Sequence, residues 1–523
     1  MTPLNRRQLL RAGAAATALA ASGMPALAAA PTRTPTRTPT RGGTLRLGLS
    51  GANTSDRWDS RTHADGFMII ASHGAVFDTL TEVAANGDLI GELAESWDAS
   101  PDAEVWTFQL RRGVRFHNGK PFDADDVVAS LNMHIAEGAK SAAQPIVKPI
   151  TRIEKITDHE VRMTLESGNA DFPYLLSDYH ICMYPAGQIE EAIAKGIGTG
   201  LYRVERFDPG VRLALRRVES HYKDGRAGWF DTVEALAIND NSARMNALIT
   251  RQVDVINRVD FKTEPLLRAS PDIQIVEVTG NQHFTFPMLT NVAPFDDVNV
   301  RRALKHAVKR QEMVDKILQG HGAVANDIPI GPANRYFADD LPLNDYDPDK
   351  VKHYLGKAGL GSLALDLSAS DAAFPGAVDA AQLYQASARA GGIHINVVQE
   401  PADGYWVNVA SGKPWFISYW SGRVTEDWMF STAYALGAPW NETHWNNARF
   451  QELLLLARAE LDSDKRRSMY HEMQALISKE GGTVIPMYAN YVDAHSGGVQ
   501  HSGTIGNVFQ LDSARLIERW WAA

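Results

Sequence analysis

Few side chains in this sequence are spaced for catalysis. His471-Glu472-Met473-Gln474-Ala475 opens like the zinc-protease pattern, but alanine stands where the second histidine is needed, so the stretch reads as a helix face. Gly196-Ile197-Gly198-Thr199-Gly200 is rich in glycine but lacks the strand-then-helix setting of a dinucleotide site. Neither a Gly-x-Ser-x-Gly element nor a phosphate-cradling loop occurs. The sixteen histidines are scattered, and a metal site would need the fold to bring His63 to His73 or His444. The single cysteine, Cys182, excludes an intrachain disulfide. It sits in Tyr179–Tyr184, which reads as a buried strand where cysteine acts as a small apolar residue. Tyr419-Trp420-Ser421-Gly422-Arg423-Val424-Thr425-Glu426-Asp427-Trp428 places a guanidinium among aromatic and acidic groups. A guanidinium fork matches a carboxylate or phosphate. Further aromatics at Tyr405, Trp406, Trp415, Phe416, Tyr434, Trp440 and Trp445 could wall a solute, although most suit a core.

Mixed strands and helices must position these groups. Thr44–Leu49 reads as a first strand. Trp106–Leu110 and Val114–Phe116 alternate with period two, with a turn at Arg111-Arg112-Gly113 between them and another at His117-Asn118-Gly119 after them. Asp123 caps a helix running through Val127, Leu131 and Ile135, with acids in its first turn. Arg212–Arg217 is expected as a strand, 242–251 as a helix and 253–256 as a strand. The clearest helix spans 298–319, stopped by Gly320, with Val300, Leu304, Val308, Val314 and Leu318 on one face. A strand–helix–strand follows over 363–398, helices cover 447–461 and 464–480, and final strands lie near 484–495 and 515–520. No internal repeat has a fixed period. The pattern is α/β with more than one sheet.

The 523 residues allow several domains or two large lobes, with a core that needs no disulfide or metal. Hydrophobic residues at 44% and charged residues at 22% are the balance of a soluble globular protein. The net charge of −10 argues against a nucleic-acid partner, which would want a basic face. Residues 1–30 carry Arg6, Arg7 and Arg11 and no acid, then an Ala-rich apolar stretch and small residues at Ala26–Ala30. This is the order of a secretory signal, and the paired arginines point to the twin-arginine route. Residues 31–41 form a Thr/Arg/Pro spacer that buries nothing. With no cysteine near the cleavage site for a lipid anchor, the mature chain is expected free in the periplasm.

Residues 90–135 carry a specific string: Gly91-Glu92-Leu93-Ala94-Glu95-Ser96-Trp97, then Trp106–Phe122, then Ala124-Asp125-Asp126-Val127-Val128. The string resembles the signature of the extracellular solute-binding proteins of family 5, the dipeptide-, oligopeptide- and nickel-binding proteins of ABC importers. Further matches follow in order. Gly198-Thr199-Gly200-Leu201-Tyr202 resembles a family turn, with Leu201 in place of proline. Pro294–Asp297 with Val300–Leu304 resembles a family helix start, and Ile485–Tyr488 the strand leading back to the first lobe. The signature aromatics Trp106, Phe108 and Phe116 read as buried structure, not as ligand contacts.

The resemblance implies the two-lobe periplasmic binding protein fold (type II) with an extra subdomain on lobe I. Lobe I would be 42–285, its extra subdomain about 60–190, and 493–523 would return to it; lobe II would be 286–492. A solute closed between the lobes by a hinge motion would pass to a membrane permease, with the protein a monomer and no cofactor. Peptide-binding members place an aspartate three residues after the tryptophan matched by Trp420, pairing with the peptide's α-ammonium. Here that position is Arg423. Either Arg423 faces the cleft and clamps an anion, or it pairs with Glu426 or Asp427 and holds the loop. Asp427 and Glu426 are also candidates to receive a cation, and Tyr419 and Trp420 to form a cleft wall. Ser50, Gly51 and Asn53 lie where family members place backbone contacts to ligand. The leading expectation is capture of a short peptide, a peptide-like compound or a small polar acid without turnover. The alternatives are a metal-chelate binder and a secreted hydrolase.

Overall fold

The computed structural model describes residues 39–401, 405–409, 412–438 and 440–523, except the side chain of Val407. The expected signal and most of the spacer lie outside these residues. Pro39–Ala523 forms one contact unit, and none of its described helices is long and apolar enough to cross a membrane.

Strand burial follows the period-two pattern. In Arg212–Arg217, Leu213 and Leu215 point inward with the buried Arg217, while Arg212 and Arg216 point out. In Val105–Leu110, Trp106, Phe108 and Leu110 are buried, and Phe172 packs on the two rings at 6.4 and 6.2 Å. Each such side chain contributes about 1.5–3 kcal/mol by burial. That strand is central in a four-stranded antiparallel sheet, in the order 94–99, 105–110, 160–165, 150–157. The helix Ala124–Asn132 starts on a reciprocal cap. Asp123 accepts from the Asp125 N–H at 2.9 Å, and Asp126 accepts from the Asp123 N–H at 2.9 Å.

The main sheet has nine strands. Thr44–Leu49 pairs in parallel with Thr232–Ala237, which carries Arg212–Arg217 and then Tyr202–Asp208 outward. On the other side, the short strand Val255–Ile256 links Thr44–Leu49 to the long antiparallel pair Ile273–Pro287 and Thr483–Ser496. These two strands run from one hydrophobic core into another. Val276 packs in the core built on residues 45–276 and 499–520, while Phe284, Phe286, Val484 and Met487 belong to a second core. A third core packs 328–336 with Trp420 and the helices Glu426–Ala433, Ala448–Ala459 and Ser463–Glu480. The expected lobe changeovers at 285/286 and 492/493 both fall inside the two long strands.

Three expectations change. The helix over 298–319 is two helices, Val298–His306 and Arg310–Ile317. Side chains take the carbonyls freed at the break: Tyr384 Oη donates to Leu304 O at 2.6 Å, Ser387 Oγ to Ala307 O at 2.7 Å and Arg310 to Lys305 O at 3.0 Å. Residues 515–520 hold a short helix, Leu516–Arg519, not a strand. Helical spacing puts Arg515 and Glu518 together at 2.6 Å in a buried charge cluster, which alternating strand geometry would not do. Tyr179–Tyr184 is buried in large part but joins no sheet, and Cys182 is fully enclosed within it, its pKa raised by burial to about 12.

Candidate functional site

A cavity of about 1010 Å³ lies where the first two cores meet. One wall carries Ile69 and Asp178–His180, the other Phe284, Phe374 and the loop Ser421–Val424, and the long strands cross between them with Asn281 and Tyr491. Two backbone features shape it. Thr279 to Gln282 breaks the register of the long strands, and Gly280 sits where an added Cβ would lie 2.5 Å from the Tyr491 ring. Gly422, at φ +78°, presses against Asn281 with no room for a Cβ, and Asn281 Nδ2 donates to Arg423 O at 2.9 Å. This contact ties the arginine loop to the crossing strand.

Arg423 lines the cavity. Its guanidinium lies 5.4 Å from the Trp420 ring and 5.5 Å from the Trp428 ring, and Nη1 donates to Gly422 O at 2.7 Å. Among the described residues no carboxylate is within ion-pair distance of it. Glu426 and Asp427 do not pair with it. Burial lowers its pKa, while Tyr179 and Asp178 nearby act in the opposite direction. His283, beneath the loop, is held neutral by burial at about 4. A guanidinium fixed by two rings, with most of its donors uncommitted, is preorganised for an anion.

The other expected residues separate. Tyr419 lines the cavity at 38% exposure, and Trp420 turns into the third core, with Nε1 donating to Glu442 at 3.3 Å. Adjacent residues of the strand Ser418–Trp420 point to opposite faces, so both cannot wall the cavity, and Trp420 serves as the seat of Arg423. Glu426 and Asp427 occupy the first turn of a helix capped by Thr425 and point away from the cavity. Glu426 accepts the Tyr336 N–H at 2.7 Å and is pushed by burial up to about 7. Asp427 is also raised by burial, against the pull of Arg458 at 3.0 Å. Ser50, Gly51 and Asn53 do not line the cavity. Ser50 and Gly51 donate backbone N–H groups to Asn257 and Asn239, and Asn53 accepts from Ser55. The Asp65 carboxylate, paired with Arg258 at 2.5 Å, lies against Gly51 between that loop and the cavity.

Enzyme-like and metal-like groups resolve into structural contacts. His471 pairs with Asp340 and Glu472 with Arg449 on the surface. His63 and His73 are buried on the cavity wall, and His444 is exposed elsewhere. Among the described residues the one group spaced to hold a metal ion is Glu82, Glu92 and Glu518. Its centre is taken by Lys223 Nζ, at 3.2, 2.5 and 2.9 Å from the three carboxylates, with Arg515 alongside.

The model of the bacterial extracellular solute-binding proteins, family 5, matches residues 88–442. The chain belongs to this family. Family 5 relatives include the dipeptide-binding protein of Escherichia coli, 26% identical over 433 residues, 76% of this chain and 80% of the relative. Di/tripeptide-binding protein 2 of Pseudomonas aeruginosa is 28% identical over 461 residues, 81% of this chain and 86% of that one. The periplasmic binding protein DppA from Helicobacter pylori, solved with the peptide STSA, has the same fold. Its TM-score is 0.75 at 22% identity, covering 92% of this chain and 99% of that one. The chain therefore has the two-lobe α/β fold of family 5 and is a solute-binding protein. Within that fold, sequence reasoning missed the wall facing Arg423. Tyr179 and His180 fell within the expected strand Tyr179–Tyr184, and Asp178, Tyr491 and Phe509 carry no local spacing that connects them to Arg423.

Proposed function

We propose that this protein is the periplasmic capture component of an ABC importer. It closes on a short peptide, a peptide-like compound or a small polar acid and hands it to a membrane permease, without turnover. Residues 42–285 and 493–523 act as lobe I, with an extra subdomain over about 60–190. Residues 286–492 act as lobe II, and the two long strands act as the hinge. The N-terminal residues 1–30 serve as a twin-arginine export signal, 31–41 as a spacer, and the mature protein works as a monomer.

One observation carries the reading: Arg423, seated on Trp420 and Trp428, faces a cavity large enough for such a solute and has no described carboxylate partner. It receives the solute's acid group, and Tyr419 flanks it. Ser50, Gly51, Asn53, Glu426 and Asp427 act only indirectly, by holding the loops and helix behind the site. Native mass spectrometry of gently purified protein should show one bound solute, and calorimetry a 1:1 stoichiometry. Arg423→Ala should weaken binding of that solute by about 2–5 kcal/mol. An unchanged affinity in a folded variant rejects the anion clamp, and release of a chemically altered product rejects capture without turnover.

A further inference from the structure

The charges around the cavity are unequal in one respect. Five aspartates line it and no glutamate does. Four are already engaged. Asp65 pairs with Arg258 at 2.5 Å and accepts from the Gly66 N–H. Asp178 holds His180 Nδ1 at 2.7 Å; burial opposes charge on that imidazole, but Asp178 more than offsets it and the His180 pKa is raised. Asp260 accepts from the Lys262 N–H at 2.8 Å. Asp493 accepts from the backbone N–H groups of Arg258 and Leu511. The fifth, Asp379, is exposed at the rim and solvated. Of the cations, Arg258, Lys316 and Arg515 have carboxylate partners, and Lys262 is exposed. Among the described residues, the cavity thus holds one half-buried guanidinium with no carboxylate partner, while its buried carboxylates, Asp178 and Asp493, are held by His180 and by two backbone N–H groups.

Opposite Arg423 the wall is aromatic. Tyr179 and Phe509 have ring centroids 6.2 Å apart, and Tyr491 and Phe509 6.3 Å apart. All three rings are half-buried and border the cavity, as does Trp428. Such partly open rings bury flat apolar groups at small cost in side-chain entropy.

We propose that the solute is a net anion with an aromatic or planar body and no free ammonium group, such as an N-acylated aromatic amino acid or peptide. The carboxylate lies on Arg423, the ring lies among Tyr179, Tyr491 and Phe509, and a free amine is disfavoured because it would be desolvated without a counter-charge. This rests on the capture reading above and narrows its ligand class.

Four related probes, each differing from the first by one group, separate the possibilities by calorimetry and thermal shift on the full mature chain: N-acetyl-L-alanyl-L-phenylalanine, its C-terminal amide, free L-alanyl-L-phenylalanine, and N-acetyl-L-alanyl-L-alanine. The N-acetyl phenylalanyl acid should bind at least ten times more tightly than each of the other three. Arg423→Gln should erase its advantage over the amide, and Tyr491→Leu its advantage over the alanine analogue, in variants that melt as the parent does. Equal or tighter binding of the free dipeptide overturns the proposal and makes Asp178 an ammonium receiver, leaving solute capture intact. Binding of none of the four also overturns it, while a co-purified solute seen by mass spectrometry would still uphold capture. Absence of both would remove the capture reading itself.

Discussion

Replacing Asp171 with asparagine removes a charge that bridges two cores. Asp171 precedes Phe172 of the first core, and its Oδ1 lies 2.7 Å from Arg466 Nη2, on the helix that also carries Tyr470 and Met473 of the third core. Both side chains are 4% exposed. Beside the pair, the Ala170 N–H donates to Arg458 O at 2.7 Å, so the contact has a backbone component as well. Burial works against charge on Arg466, but Asp171 and Tyr470 more than compensate, and its pKa is raised. Stranding one partner of a buried pair costs about 3–5 kcal/mol. Arg466 keeps hydrogen bonds to Ala457 O and Tyr470 Oη, which favours the lower figure. If the pair exists only when the lobes are closed, the loss falls on closure. A penalty of about 3 kcal/mol lowers apparent affinity roughly a hundredfold. Calorimetry with the co-purified solute gives the affinity, and small-angle scattering gives the open fraction before and after ligand. Asp171→Asn should weaken binding and enlarge the ligand-free particle. Arg466→Met in the same background should recover part of the loss. An affinity within twofold of the parent, with unchanged scattering, would refute the assignment of this pair to closure.

Glu442 accepts from Ser418 and Trp420, and burial moves its pKa from 4.5 to about 7. A raised carboxyl stabilises the fold fully below pH 4.5 and loses that contribution as pH rises through 7. Glu442→Gln should therefore flatten the fall in melting temperature over this window, by on the order of 3 kcal/mol at pH 8, and an unchanged pH profile would reject it. Lys223→Met leaves Glu82, Glu92 and Glu518 with too little positive charge and should cost about 3–5 kcal/mol in denaturant unfolding. A variant as stable as the parent would show that the lysine is not what holds the three carboxylates together.

Much of the fold was legible because its signals are local. Thr44–Leu49, Arg212–Arg217 and the cap at Asp123 follow from side-chain periodicity and one short-range hydrogen-bond pattern. The break at Ala307 was not legible, because its carbonyls are taken by Tyr384 and Ser387, some eighty residues away. The candidate site divides in the same way. Arg423 and its flanking tryptophans stand close together in sequence, so their chemistry could be read there. Which of Tyr419 and Trp420 meets the cavity depends on how the short strand Ser418–Trp420 pairs with Ile273–Pro287.

The sequence, through its ordered resemblance to family 5, pointed to solute binding and put an arginine among the candidate contacts. Only the tertiary structure decided that Glu426 and Asp427 turn away to Tyr336 and Arg458, leaving the guanidinium of Arg423 without a described carboxylate partner. Charge pairing depends on distance through space, and a carboxylate three residues along the chain can lie on the far side of a helix's first turn while Tyr179, far off in sequence, borders the same cavity.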